Sequence, residues 1–344
     1  MDFVKILKRS FSITLRYRAL WLFGFILVLA GGGNRGFNPN GGSSGGGGNG
    51  GNRGGVPGPY VSGPQWSDIS RALPIILTIL AAILVFIILL IIALAILQAL
   101  ARTALIGMVD EVEETEETSV RSGWRILWSR RGLRLFLLEL LTTIAWAVVA
   151  PAIVITALLP LVLIATGNVV LIVAGVLAAV ALLLIAIALL TIVGIAFSML
   201  MEIARRECVL GDKGVLESLR GGIIIVRHRL GDVGLMWLLM TGISIAWSIL
   251  LIPMGIAFVI LSLLIGGLPA LMAFALSRSW IPAVVIGAPL FLIALVIPLA
   301  FINGLYLVFQ SSVWTLTYRE LRAQEMEPAE GDSPPPFPEE SVTA

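Results

Sequence analysis

One cysteine, Cys208, and one histidine, His228, are all that the 344 residues hold of either type. A lone cysteine excludes an intramolecular disulfide. A lone histidine removes most metal sites and nucleophile–histidine pairs. Charge is scarce too. Asp, Glu, Lys and Arg make up 13% of the chain, against roughly 25% in a soluble domain. The formal net charge of +2 is too small to argue for a nucleic-acid partner. From Leu135 to Ala204 there is no Lys or Arg at all.

What fills the chain instead is apolar. The set AVILMFWYC reaches 58%, and mean hydropathy is +1.01. A soluble fold has too few polar residues here to coat that surface, whereas lipid accepts it. About 20 apolar residues cross about 30 Å of hydrocarbon. The uncharged-by-cation stretch 135–204 is far too long for one crossing, so it must reverse. Thr166-Gly167-Asn168 offers the positive φ of a tight turn. Ser277-Arg278-Ser279-Trp280 interrupts the next apolar run. The expected fold is all-α: a polytopic transmembrane bundle of six spans, near 19–30, 72–101, 133–165, 169–203, 233–265 and 283–310. Gly266–Leu276 is left as either a loop or a half-inserted helix. Ala19–Ala30 has the length of a signal-peptide core, but the basic stretch before it is long and patterned, so it is read as a retained first span. Pro151, Pro160, Pro253 and Pro298 fall inside spans and are expected to kink them.

Cation placement orients the bundle. With six spans and both termini inside, 19 of the 23 Lys and Arg residues fall on the cytoplasmic side. Arg35, Arg53, Arg71 and Arg278 are the four outside. This is the positive-inside pattern of a multi-pass cell-membrane protein.

Three basic stretches each run straight into a span. In the first, Val4, Leu7, Phe11 and Leu15 form an apolar stripe opposite Lys5, Lys8, Arg9, Ser12 and Arg16. In the second, Val120, Trp124, Leu127 and Trp128 oppose Arg121 and Arg125. In the third, Val215, Leu219, Ile223 and Val226 oppose Glu217, Arg220 and Arg227. The spacing is that of one helix face. Ile144-Ala145-Trp146 before Pro151 is echoed by Ile245-Ala246-Trp247 before Pro253. The expected unit is an amphipathic elbow helix plus a helical hairpin, repeated over 1–110, 111–206 and 207–322. Lys5, Lys8, Arg9, Arg125, Arg130, Arg131, Arg220, Arg227 and Arg229 are the candidates for contact with anionic headgroups of the inner leaflet.

Other segments invite wrong readings. The Gly-rich tract over 31–66 lacks the strand, helix and Lys-Ser/Thr of a phosphate loop and reads as a flexible outer loop. Asp110–Glu117 reads as a solvated acidic run, and 323–344 as a disordered Pro- and acid-rich cytoplasmic tail. Glu139 and Asn303 are the intramembrane polar candidates. Glu139 is expected to pair with Arg134 or Arg131, and Asn303 and Gln98 to bond between helices. His228 reads as a solvated elbow residue, and Cys208 as inert. No metal or cofactor is expected.

Two segments carry a resemblance. Glu207-Cys208-Val209-Leu210 is followed by Gly214-Val215-Leu216-Glu217-Ser218-Leu219-Arg220, and the last span ends in Trp314-Thr315-Leu316-Thr317-Tyr318-Arg319-Glu320-Leu321-Arg322. Over about 1–322 the chain resembles a loose group of six-span bacterial and archaeal proteins. The group includes the membrane domain attached to some glycerophosphoryl diester phosphodiesterases and related domains of unknown function. The resemblance implies no phosphodiesterase activity, because that chemistry belongs to a separate soluble barrel. The expected role is a non-enzymatic accessory or scaffold protein touching membrane lipids, with any protein partner unknown. The alternative is a membrane component of a transporter or exporter.

Overall fold

The computed structural model describes residues 2–32 and 66–326. The Gly-rich tract, save its ends, and residues 327–344 of the tail lie outside the described residues. The described chain is helical throughout. The α-helices are α1 (Phe3–Arg16), α2 (Ala19–Leu27), α3 (Trp66–Thr115), α4 (Val120–Leu127), α5 (Arg130–Leu158), α6 (Val169–Val209), α7 (Val215–His228), α8 (Leu230–Ser277) and α9 (Trp280–Met326). A π-helical turn (Val28–Gly32) extends α2, and a 3-10 segment (Leu159–Thr166) extends α5.

Local chemistry fixes the breaks. Asp2 caps α1 by accepting from the Lys5 amide at 3.0 Å. Ser119 does the same for α4, accepting from Ser122 N at 3.2 Å. Gly167 takes φ 66°, and Asn168 accepts from Val170 N at 3.0 Å, so the chain reverses where expected. Arg278 takes φ 51° between α8 and α9, and its N–H closes on Phe274 O at 2.8 Å. Pro160 sits in the first turn of the 3-10 segment.

Among the described residues, five helices are long and apolar enough to cross a membrane: Leu77–Thr115, Arg130–Thr166, Val169–Val209, Leu230–Ser277 and Trp280–Gln324. Phe3–Arg16 and Ala19–Gly31 meet at a 97° bend; the second is too short to pass as a span by itself, and the two make a sixth only when taken as one broken span. This is the makeup of a multi-pass membrane protein. The helices outrun the expected spans. At 1.5 Å per residue, the 48 residues of α8 reach about 72 Å, more than twice the hydrocarbon thickness. Each must therefore tilt or extend past the lipid.

Residues 266–276, open in sequence as loop or half-helix, continue α8 without interruption to Ser277. The cause is packing. A Cβ placed on Gly266 would lie 2.6 Å from Phe291 N and 2.7 Å from Gly287 O. Gly266 is a close approach between two helices, not a breaker. Likewise α9 runs four residues into the expected tail, to Met326.

The core lies at one end. Ile13, Leu20, Phe23, Leu105, Met108, Leu127 and Val308 form one cluster. Ile203, Met236, Val313, Trp314, Tyr318 and Leu321 form a second, and Ile106, Leu135, Leu138, Met201 and Val209 a third. Beyond this base the helices separate. Every side chain from Leu77 to Ala93 of α3 is exposed, on all sides of the helix. The hairpins α5–α6 and α8–α9 bury only small residues there, such as Ala157, Gly175, Ala179, Ser262, Ala283 and Gly287. That is how helices pack when lipid, not water, is the solvent.

Candidate functional site

At three places a helix of 8 to 14 residues is followed, after a corner of one or two residues, by an apolar helix, which is long in two of them and only nine residues in α2. The pairs are α1–α2, α4–α5 and α7–α8. α1 buries Ile6, Ser10, Ile13 and Thr14 against its neighbours. Val4, Phe11 and Leu15 of its predicted stripe are left exposed, at 74%, 58% and 54%. On α4 and its corner, Leu127 is buried, whereas Val120, Trp124 and Trp128 are exposed. On α7, Val215, Leu219 and Val226 pack inward in part, and Leu216, Ile223 and Ile224 are exposed.

The elbow cations divide into two sets. Arg9 donates to Glu113 at 2.8 Å. Arg131 lies 3.8 Å from Asp212, and Arg229 lies 3.9 Å from Asp232 while donating to Gln324 at 3.1 Å. Lys5, Lys8, Arg125, Arg130, Arg220 and Arg227 are exposed and, among the described residues, form no ion pair. His228 is exposed, as expected of an elbow residue.

Between the elbows lies a chain of buried ion pairs. Glu139 of α5 pairs with Arg102 of α3 and, at 3.3 Å, with Arg205 of α6. Arg205 also reaches Glu202 at 3.0 Å, and Glu202 pairs with Arg206 one turn on. The side chains keep 13% of their surface at Arg102 and Glu139, 17% at Arg205, 20% at Glu202 and 4% at Arg206. This corrects the expected partners of Glu139. Arg134 and Arg131 turn to Asp212 in the α6–α7 connection, at 2.8 and 3.8 Å. Arg134 is five residues from Glu139, about 140° around the helix at 3.6 residues per turn. Arg102 and Arg205 come from helices packed beside Glu139.

A second network centres on Glu207, whose side chain is 3% exposed. Lys213 Nζ approaches it to 2.5 Å and Arg322 to 3.2 Å, and the Tyr318 hydroxyl donates to it. It ties the α6–α7 connection to the end of α9. Arg319 in turn donates to Asp110 at 2.5 Å. Part of the acidic run expected to be solvated is therefore engaged: Asp110 by Arg319, Glu113 by Arg9 and Glu111 by the Ser122 hydroxyl. Among the described residues, every ion pair lies in the base.

Asn303 donates to Leu299 O of its own helix at 2.9 Å, not across helices as expected. It lines a cleft of about 30 Å³ with Ser244, Trp247, Ser248, Leu251, Tyr306 and Leu307. Gln98 is 4% exposed, and its Nε2 has no hydrogen-bond partner. Cys208 is fully buried. Among the described residues no group of three or more His, Cys, Asp or Glu side chains is placed to hold a metal ion.

The buried ion-pair chain escaped the sequence reading, although a signal was there. Arg102 ends the apolar run of α3, Glu139 lies early in α5, and Arg205 ends the run of α6. In helices that run back and forth, all three therefore fall at the same end of the bundle.

No curated protein and no solved structure matches the chain. Nothing in these comparisons ties it to the membrane domains of glycerophosphoryl diester phosphodiesterases. A family model does match residues 8–317, and the chain belongs to that family, which is described as one of unknown function (DUF7544).

Proposed function

We propose that the chain is a non-enzymatic scaffold or accessory protein of the cell membrane, with its base and both termini on the cytoplasmic side. Its three elbow helices rest in the headgroup layer of the anionic inner leaflet. The observation that carries this reading is the pairing, on each elbow, of exposed apolar side chains with exposed cations. Val4, Phe11 and Leu15 accompany Lys5 and Lys8; Val120, Trp124 and Trp128 accompany Arg125 and Arg130; Leu216 and Ile223 accompany Arg220 and Arg227. An apolar stripe in lipid flanked by cations at the phosphates is the makeup of an interfacial helix. Each cation near an anionic surface adds roughly 1 kcal/mol.

The threefold element order supports a repeat of elbow and hairpin. So do the two echoed tryptophans. Trp146 packs edge-on against Phe197, and Trp247 stacks on Tyr306, each reaching the second helix of its own hairpin.

Tryptophan depth tests the elbow reading. Reconstituted protein is excited at its indoles in lipids brominated at successive acyl depths. Phenylalanine at Trp124 and Trp128 isolates their share. The reading expects shallow bromines to quench that share and deep ones to spare it. Trp124 and Trp128 that respond to an aqueous quencher alone would end it. A transport role draws on the small, mostly apolar cleft that Asn303, Ser244 and Ser248 help to line; loss of solute flux in Asn303→Leu would favour it.

A further inference from the structure

The buried ion-pair chain is not balanced. Arg102, Arg205 and Arg206 carry three positive charges, and Glu139 and Glu202 carry two negative ones. Arg206 is the most enclosed member, with a side chain 4% exposed, and its Nε lacks a hydrogen-bond partner. One turn before Arg102, on the same helix face, Gln98 is 4% exposed and has an unpartnered Nε2. Surplus charge and surplus donors therefore coincide where α3, α5 and α6 meet. An uncompensated charge is costly there, because little water reaches it. Arg102 and Arg205 retain 13% and 17% of their surface, so the cluster has an accessible part.

We infer that this cluster binds a phosphate oxyanion carrying one negative charge, held by Arg102, Arg205 and Gln98. Guanidinium groups suit such a ligand because their N–H pairs match two oxygens of a phosphate at once. One added negative charge brings the cluster to neutrality. The site is separate from the elbow cations and uses none of them. It rests on the membrane reading only in that an acidic lipid headgroup is one source of the phosphate, a free phosphate ion being the other.

The experiment uses the full chain in non-ionic detergent and follows its melting temperature. Three probes are titrated separately: dioleoylphosphatidylglycerol in mixed micelles, dioleoylphosphatidylcholine in the same way, and inorganic phosphate at constant ionic strength. Saturable stabilisation by phosphatidylglycerol but not phosphatidylcholine marks a lipid source. Stabilisation by inorganic phosphate marks a soluble one. Arg206→Gln brings the cluster to zero net charge and weakens the probe through charge alone, since Arg206 does not touch it. Glu202→Gln brings it to +2 and tightens the probe. Gln98→Leu leaves every ion pair in place and still weakens it, which covers an Arg206 variant that fails to fold. Absence of saturable stabilisation by any anionic probe would overturn the inference. So would Arg206→Gln and Glu202→Gln moving affinity in the same direction. The elbow reading is judged by tryptophan depth, which these variants leave untouched, so the two can fail separately.

Discussion

Gly304→Val should strip α2 from the base. Gly24 of α2 and Gly304 of α9 cross backbone to backbone. A Cβ at Gly304 would meet Phe25 N at 2.8 Å and Gly24 C at 2.9 Å. No flexible side chain end stands there to yield. Ordinary contact is about 3.5–4.0 Å, so the helices must part by roughly 0.5–1 Å, which forfeits a quarter to a half of each dispersion contact across the gap. Leu20, Phe23 and Leu27, 0–3% exposed, line α2 at this crossing and bear that loss. Overpacking of this kind costs about 1–3 kcal/mol, and a β-branched residue lies at the upper end. The same substitution at Gly242 supplies the control, since a Cβ there meets nothing within 4 Å. Gly242→Val should be neutral or slightly stabilising, because valine is a better helix former than glycine by a few tenths of a kcal/mol. The lone thiol is a built-in reporter: Cys208 is fully buried when folded and reacts with a fluorogenic maleimide on unfolding. Melting curves read this way in detergent should place Gly304→Val well below Gly242→Val. Equal midpoints for the two variants would refute the close crossing.

Four further outcomes follow from the packing. Glu139→Leu leaves Arg102 and Arg205 short of a counter-charge and should cost about 3–5 kcal/mol. The double variant Arg102→Leu/Glu139→Leu should recover most of it, which a melting-temperature cycle measures. Glu207→Ala should free the 210–214 connection and raise its rate of cleavage by added protease. Tyr318→Phe removes two hydrogen bonds to charged groups, the one donated to Glu207 and the one accepted from Arg322 at 2.6 Å, and should cost at least about 1.5–3 kcal/mol in the same melting assay. Gly266→Leu should splay α8 from α9, because its Cβ would lie 2.7 Å from Gly287 O; a spin-label pair flanking the crossing should report a larger distance.

The helices were legible because lipid burial demands long uncharged runs, and those runs stand out in the sequence. Both hairpin turns were legible as well. Gly167 adopts the left-handed backbone that Thr-Gly-Asn suggested, and the chain turns at the Ser-Arg-Ser break, where Arg278 is left-handed too. Glycine inside a helix was harder to read. Gly266 looks like a breaker until its neighbour Gly287 is known, and their contact is 21 positions apart in sequence. Glu139 shows the same limit. Local spacing points to cations on its own helix, whereas packing brings Arg102 and Arg205 to it from 37 and 66 residues away. The acidic run 110–117 read as solvated because Arg9 and Arg319, which meet it, come from opposite ends of the chain.

The measurement that bears most directly on the account is a two-sided labelling of the membrane. In a Cys208→Ala background, single cysteines are placed at Arg125 and Arg227 in the elbows and at Gly167 and Ser279 in the hairpin tips. A membrane-impermeant maleimide is applied to intact cells and then to inverted vesicles. The account predicts that Gly167 and Ser279 label from outside and that Arg125 and Arg227 label only from the cytoplasmic face. Labelling of an elbow and a hairpin tip from the same side would contradict it.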